Sequence, residues 1–341
     1  MSADTTIKRA VSLYSFQEEY FHRKMTVEQI IAACAEMGVQ GIEILGDQMI
    51  RGYPNIPDEF VKQWHGWMDQ YGVEPACLDN FLDWNKYKGR VMTEDEQVES
   101  MTLDILNAKK LGIPLIRVIH DVKPIILERL APIAEKYKII LALEVHAPSD
   151  LDSPFEQELY EMFTRLQSPY VGFAVDFSLY TKRLPRIISE RYKREGMKPE
   201  IIEYLVNGFN TQSLPKRHEL NERNMALPES IMAMGGRQVD IRWAFMGTHM
   251  IYADPRKMLD YMPYIHHIHA KFWEMLPDYT EYSVPYDEII PILVEGGYSG
   301  YISSEYEGNR WLHDALPVDS TEQVRRHQGM LKNLLKEASE I

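Results

Sequence analysis

Eight short apolar runs, separated by amphipathic stretches of helical spacing, restrict this chain to very few folds. The runs are RAVSLYSF near 9–16, GIEIL at 41–45, EPACLDN near 74–80, LIRVIH at 115–120, IILALEVH at 139–146, VGFAVDF at 171–177, HHIHAKF at 266–272 and GYISSEY at 300–306. They are mostly continuous rather than alternating, as expected of parallel strands covered on both faces. Between them, segments such as TVEQIIAACAEMG (26–38) and EQVESMTLDILNAKKLG (96–112) place apolar residues at helical intervals. Gly38, Gly72, Gly112 and Gly297 stand where a helix would end before the next strand. Eight such units predict an α/β chain folded as a (β/α)8 TIM barrel, one domain over residues 1–341. A doubly wound sheet is the competing arrangement, and the GxGxxG that would mark it is missing after the first strand.

One spacing breaks the pattern. About ninety residues separate Asp176 from His266, and they are rich in charge and methionine (KRLPRIISERYKREGMKPE, PKRHELNERNM, SIMAMGGRQVD). Their helical character predicts a long insertion between strands six and seven, at 181–250, which sits at the barrel mouth as a lid or partner-docking segment. A solvent-facing helical decoration is the other reading. The net charge of -14 argues against a nucleic-acid partner, because phosphate recognition needs clustered Lys and Arg. No apolar run approaches membrane-spanning length, and MSADTTIKRA carries no signal-type apolar core. With Cys34 and Cys77 read as buried free thiols, these features predict a cytoplasmic setting and no membrane association.

The last four runs carry chemistry at their ends: Glu144 in LALEVH, Asp176 in VGFAVDF, His269 in HHIHAKF and Glu305 in YISSEYEG. An ionisable group in a buried strand is costly unless something pairs with it. In a barrel of this kind catalytic groups come from the C-terminal strand ends, so these four would converge on one side of the mouth. Three oxygens and one nitrogen suit one fairly hard divalent cation, Mn²⁺ ahead of Mg²⁺ or Co²⁺. Any one of them taken singly is as readily a structural salt bridge. His146 lies two residues beyond Glu144 and so shares its face. A titratable group beside the ion but not needed to hold it has the placement of a general base, or of a histidine supporting a carboxylate ligand. His120, Lys271, Phe16, Trp273 and Arg310 are candidate substrate contacts; Lys271 either polarises a substrate oxygen or pairs with Glu274.

The order Glu144, Asp176, His269, Glu305 on strands five to eight resembles the xylose isomerase-like barrel superfamily, which includes ketose epimerases, inosose dehydratases and endonuclease IV-type enzymes. VSLYSFQEEY, GIEILGDQMIRGYP, LEVHAPSD and YISSEYEG are similar to the large subunit of bacterial C-glycoside deglycosidases. That resemblance implies a carbon–carbon lyase acting on a 3-oxo-C-glucoside. A base, matched here by His146, removes the proton alpha to the ketone, and the aglycone leaves from C1. The ketone is the electron sink that an aryl C–C bond otherwise lacks, and a divalent ion on the sugar oxygens stabilises the developing enediolate. The resemblance further implies a small β-rich partner subunit and a hetero-oligomer. A sugar epimerase or isomerase would use the same ion, but the arginine that commonly follows the strand-seven histidine there is not evident in HAKFWEM. A non-catalytic barrel subunit is the remaining alternative, disfavoured because all four costly ligand positions are kept.

Overall fold

In the computed structural model, which describes residues 7–214, 226–237, 240, 250–313 and 315–340, the apolar runs pair side by side. They are β1 (Lys8–Ser12), β2 (Gly41–Leu45), β3 (Glu74–Asn80), β4 (Leu115–Val118), β5 (Ile140–Val145), β6 (Val171–Asp176), β7 (Ile265–Phe272) and β8 (Tyr301–Tyr306). All neighbours are parallel and β8 closes on β1, giving a closed eight-stranded barrel. Two runs end two or more residues earlier than the sequence suggests. Leu13–Phe16 turns into a 3-10 segment after β1, and β4 stops at Val118, two residues short of His120.

The helices α1 (Val27–Glu36), α2 (Asp58–Tyr71), α3 (Glu94–Lys110), α4 (Pro124–Tyr137) and α5 (Pro154–Leu166) cross between the first six strands. Thr26 with Gln29 and Thr93 with Glu96 form capping boxes that satisfy the first N–H groups of α1 and α3. At the C-terminal end of α2, Gly72 takes φ +64°, the left-handed turn that a side chain would disfavour. Between β6 and β7 lie α6 (Arg186–Arg194), α7 (Pro199–Asn210) and α8 (Ala226–Ala233), so the long gap is an insertion with helices of its own. Residues 215–225, 238–239 and 241–249 of the expected 181–250 segment fall outside the described residues. The barrel is completed by α9 (Tyr286–Glu295) before β8 and α10 (Ser320–Ser339) after it.

Apolar packing divides into two zones. The large core fills the space between strands and helices, with residues such as Ile44, Leu143, Val175 and Ile302 fully buried. A small second cluster, Cys77, Leu115, Ala142 and Ala174, packs separately as the floor of the barrel interior. Above that floor the inward positions carry polar and charged groups. Cys34 and Cys77 are buried and unpaired. Among the described residues, no helix is long and apolar enough to cross a membrane.

Candidate metal and catalytic centre

Alternation along the strands sorts the inward-facing side chains into levels. On β7, His267, His269 and Lys271 point inward in succession; on β8, Ser303 and Glu305 do, with Glu307 just past the strand end. The register sets Asp176 beside His269 and Lys271 beside Glu305.

The middle level holds Glu144, Asp176, His269 and Glu305, all buried, with one ligating atom from each lying within 4.8 Å of the others. His269 Nδ1 is 2.9 Å from Glu144 Oε1, 3.4 Å from Glu305 Oε2 and 4.0 Å from Asp176 Oδ2. Asp176 Oδ2 and Glu305 Oε2 are buried and receive no aligned hydrogen bond. Three carboxylates around an imidazole, two of them with an oxygen that lacks a hydrogen bond, form a donor set that fits one hard divalent cation. Burial disfavours charge on His269, yet the Glu43 and Glu305 carboxylates and the hydrogen bonds to Glu144 and Glu43 hold its pKa well above the usual imidazole value. Burial likewise pushes Glu144 up, and Arg117 with the hydrogen bonds from His120 and His269 brings it well below the ordinary range. For Glu305 burial prevails over Lys271 and His269, and its pKa rises to about 7.

The level beneath is an ion network from β2, β3, β4 and β7. Glu43 lies 2.6 Å from His267 Nε2 and 3.0 Å from His269 Nε2. Arg117 Nε donates to Asp79 at 2.9 Å, its Nη1 is 3.8 Å from Glu144, and its guanidinium lies 4.8 Å from the centre of the Phe81 ring. Glu43, Asp79 and Arg117 lie away from the strand ends of β5 to β8. Their signal in the sequence is an ionisable residue within the apolar runs GIEIL, EPACLDN and LIRVIH.

The outer level faces the mouth. His146 follows β5, with its side chain 31% exposed. Its Nδ1 is 2.5 Å from the Ala147 carbonyl, a contact that requires an N–H there and turns Nε2 toward the cluster. That Nε2 lies 3.4 Å from Lys271 Nζ and 4.0 Å from Asp176 Oδ2. The His120 ring stacks on His146 at 5.9 Å, and its Nδ1 is 3.8 Å from Glu144 Oε2. Lys271 is only 3% exposed and reaches Asp176 at 3.0 Å, Glu305 at 3.1 Å and Glu307 at 3.4 Å. It does not meet Glu274, which pairs instead with Arg186 of the insertion at 2.7 Å. Glu307, which the strand-end pattern does not single out, accepts from Tyr14 at 3.0 Å and lies 3.4 Å from Arg310. Burial works against its ionisation, but Lys271 and Arg310 draw its pKa down to about 2. Arg310 is half exposed at the rim, whereas Phe16 and Trp273 are buried in the apolar core at 0% and 2% exposure. The two aromatic candidates therefore present little surface to a ligand.

Comparison with known proteins agrees with this architecture. Residues 31–195 match the family described as xylose isomerase-like TIM barrel. A 3'-dehydrocarminate deglycosidase alpha subunit from Microbacterium sp. is 32% identical over 330 residues, 91% of each chain. A C-glycoside deglycosidase alpha subunit from Arthrobacter globiformis is 32% identical over 343 residues, covering 98% of this chain and 94% of that one. This chain belongs to the C-glycoside deglycosidase alpha-subunit family. Among solved structures, a sugar phosphate isomerase/epimerase from Parabacteroides distasonis matches at TM-score 0.57 and 16% identity, over 97% of this chain and 96% of the other. At that identity the likeness concerns the fold alone. The deglycosidase family thus supplies the functional frame, and the three levels of the barrel supply the chemistry.

Proposed function

We propose that this chain is the catalytic alpha subunit of a divalent-metal-dependent C-glycoside deglycosidase, a carbon–carbon lyase acting on 3-oxo-C-glucosides. The observation that carries the reading is His146 Nε2, which stands at the edge of a buried three-carboxylate, one-imidazole cluster with Lys271 Nζ beside it. Glu144, Asp176, His269 and Glu305 would hold the ion, Mn²⁺ suiting the donor set best. When bound, it supplies Lewis acidity toward the ketone and neighbouring hydroxyl oxygens of the sugar.

The remaining work belongs to the chain. His146 Nε2 takes the proton from the carbon alpha to the ketone, and the Ala147 carbonyl fixes the tautomer that makes this nitrogen the acceptor. Lys271 places a cation beside the same position, where negative charge grows on a sugar oxygen. His120, stacked on His146, restricts that ring to one orientation and narrows the mouth. Arg310 at the rim is available to the aglycone or to an outer hydroxyl. The C1–aglycone bond then breaks with its electron pair going to the aglycone carbon, which takes up one proton. That proton balances the one His146 removes, so no water is consumed, unlike ordinary glycoside hydrolysis.

Two features of the family support the finer reading. One relative is named for a 3'-dehydro substrate, and the relatives above are named alpha subunits. A small β-rich subunit is accordingly the expected partner in a hetero-oligomer, with the 181–250 insertion as its docking or lid element. The test is His146→Ala, purified with its partner. It should retain bound metal and lose release of aglycone from a 3-oxo-C-glucoside by about two to four orders of magnitude. Undiminished release would exclude His146 as the base.

A further inference from the structure

Lys271 touches two of the oxygens that a cation in this centre would need. Its Nζ lies 3.0 Å from Asp176 Oδ2 and 3.1 Å from Glu305 Oε2. Those oxygens are 4.0 and 3.4 Å from His269 Nδ1, so they face the ligand cluster. An ammonium and a dication cannot crowd onto the same oxygens. Like charges about 4 Å apart repel strongly even at an effective dielectric constant of about 20. Among the described residues, the remaining carboxylate within 4 Å of Nζ is Glu307, two residues beyond Glu305 and toward the mouth, at 3.4 Å. Glu307 is itself anchored by the Tyr14 hydroxyl and by Arg310.

We propose that Lys271 is an internal rival of the divalent cation for Asp176 and Glu305, and that Glu307 is the positioning residue that draws its ammonium outward. The pair thereby sets the affinity of the centre for metal. This rests on the metal-centre reading above, and it assigns Glu307 a role that acts through Lys271. It also explains why a carboxylate stands just outside the ligand level. With the lysine drawn toward Glu307, its charge stays at the mouth beside His146, where a substrate oxygen can use it.

The experiment is a chelator-competition measurement of Mn²⁺ affinity on the whole chain, for wild type, Lys271→Met, Lys271→Gln, Glu307→Gln and the Lys271→Met/Glu307→Gln double variant. Both lysine variants should bind Mn²⁺ tighter, by about tenfold or more, while aglycone release falls. A site merely damaged by the substitution would lose affinity instead. Glu307→Gln should weaken Mn²⁺ binding by about tenfold when Lys271 is present and change it little in the Lys271→Met background. Wild type that binds Mn²⁺, with neither lysine variant tighter, overturns the rivalry. An equal effect of Glu307→Gln in both backgrounds overturns the positioning role, because the carboxylate would then act by its field alone. A wild type that takes up no divalent ion removes the metal-centre reading and this inference together.

Discussion

Arg117 offers the sharpest test of the buried ion network, because its removal takes the guanidinium partner from Asp79 and Glu144 while both stay buried. The guanidinium is 3% exposed, donates to Asp79 at 2.9 Å and lies 3.8 Å from Glu144. The carboxylates acting on it are Asp79, Glu144, Glu305 and Glu43, all buried, with Lys271 as a further buried cation of the cluster. Replacing one partner of a buried pair typically destabilises by about 3–5 kcal/mol, since the other charge stays dry and uncompensated. A chain of 341 residues loses roughly 0.7 kcal/mol of stability per degree near its transition, so Arg117→Met should lower Tm by about 4–7 °C. The assay is denaturant and thermal unfolding with a chelator present, so that ion binding does not mask the deficit. Adding Asp79→Asn to Arg117→Met should recover much of the loss, because the orphaned charge is gone. A single variant within about 1 kcal/mol of wild type would show that the guanidinium does not hold the carboxylates together. A double variant no better than the single would show the same.

Two further outcomes follow from separate parts of the fold. His327 on α10 is fully buried, stacked on Phe272 at 4.0 Å with Nδ1 2.6 Å from the Ser304 hydroxyl, and burial lowers its pKa to about 3. The unfolded chain therefore binds this proton first as pH falls, so the neutral histidine contributes stability that is complete above about 6.5 and is lost toward about 3, up to about 5 kcal/mol. His327→Phe should flatten acid unfolding across that window in a pH series of denaturation midpoints; an unchanged slope would contradict the assignment. At the metal centre, Mn²⁺ at a hundred times its dissociation constant should stabilise the wild-type chain by about 2.7 kcal/mol. Asp176→Asn should abolish most of that gain in the same thermal assay, and an intact gain would remove Asp176 from the ligand set.

The barrel was legible because its strands are apolar on both sides, and eight repeats of that pattern fit few other folds. GIEIL and EPACLDN coincide with β2 and β3 residue for residue. The middle level of the site was legible for the same reason: a carboxylate or imidazole stands out in a run of Leu, Val and Ile. Glu43, Asp79 and Arg117 stand out in the same way, but they lie on the strands opposite those that carry the ligand order. Which carboxylates Lys271 meets is set by barrel closure. Glu274 is near it in sequence, yet it lies past the strand end, where Arg186 of the insertion captures it. Phe16 and Trp273 show the limit for aromatics. A ring at a strand end packs into the core or lines a pocket according to the path of the following turn, which hydropathy does not encode. In the insertion, Pro199 starts α7 and apolar spacing marks its buried face, but nothing in the sequence sets Arg186 of α6 against Glu274 beyond β7.

Metal-dependent deglycosidation stands or falls on aglycone release from a 3-oxo-C-glucoside, set beside interconversion of free ketoses. Both are run on the chain assembled with its partner subunit, before and after chelation. The expected result is release of the aglycone, its loss on chelation, its return on adding Mn²⁺ to about one ion per chain, and no comparable ketose turnover. Undiminished release from metal-free protein, or efficient ketose interconversion without aglycone release, would contradict it.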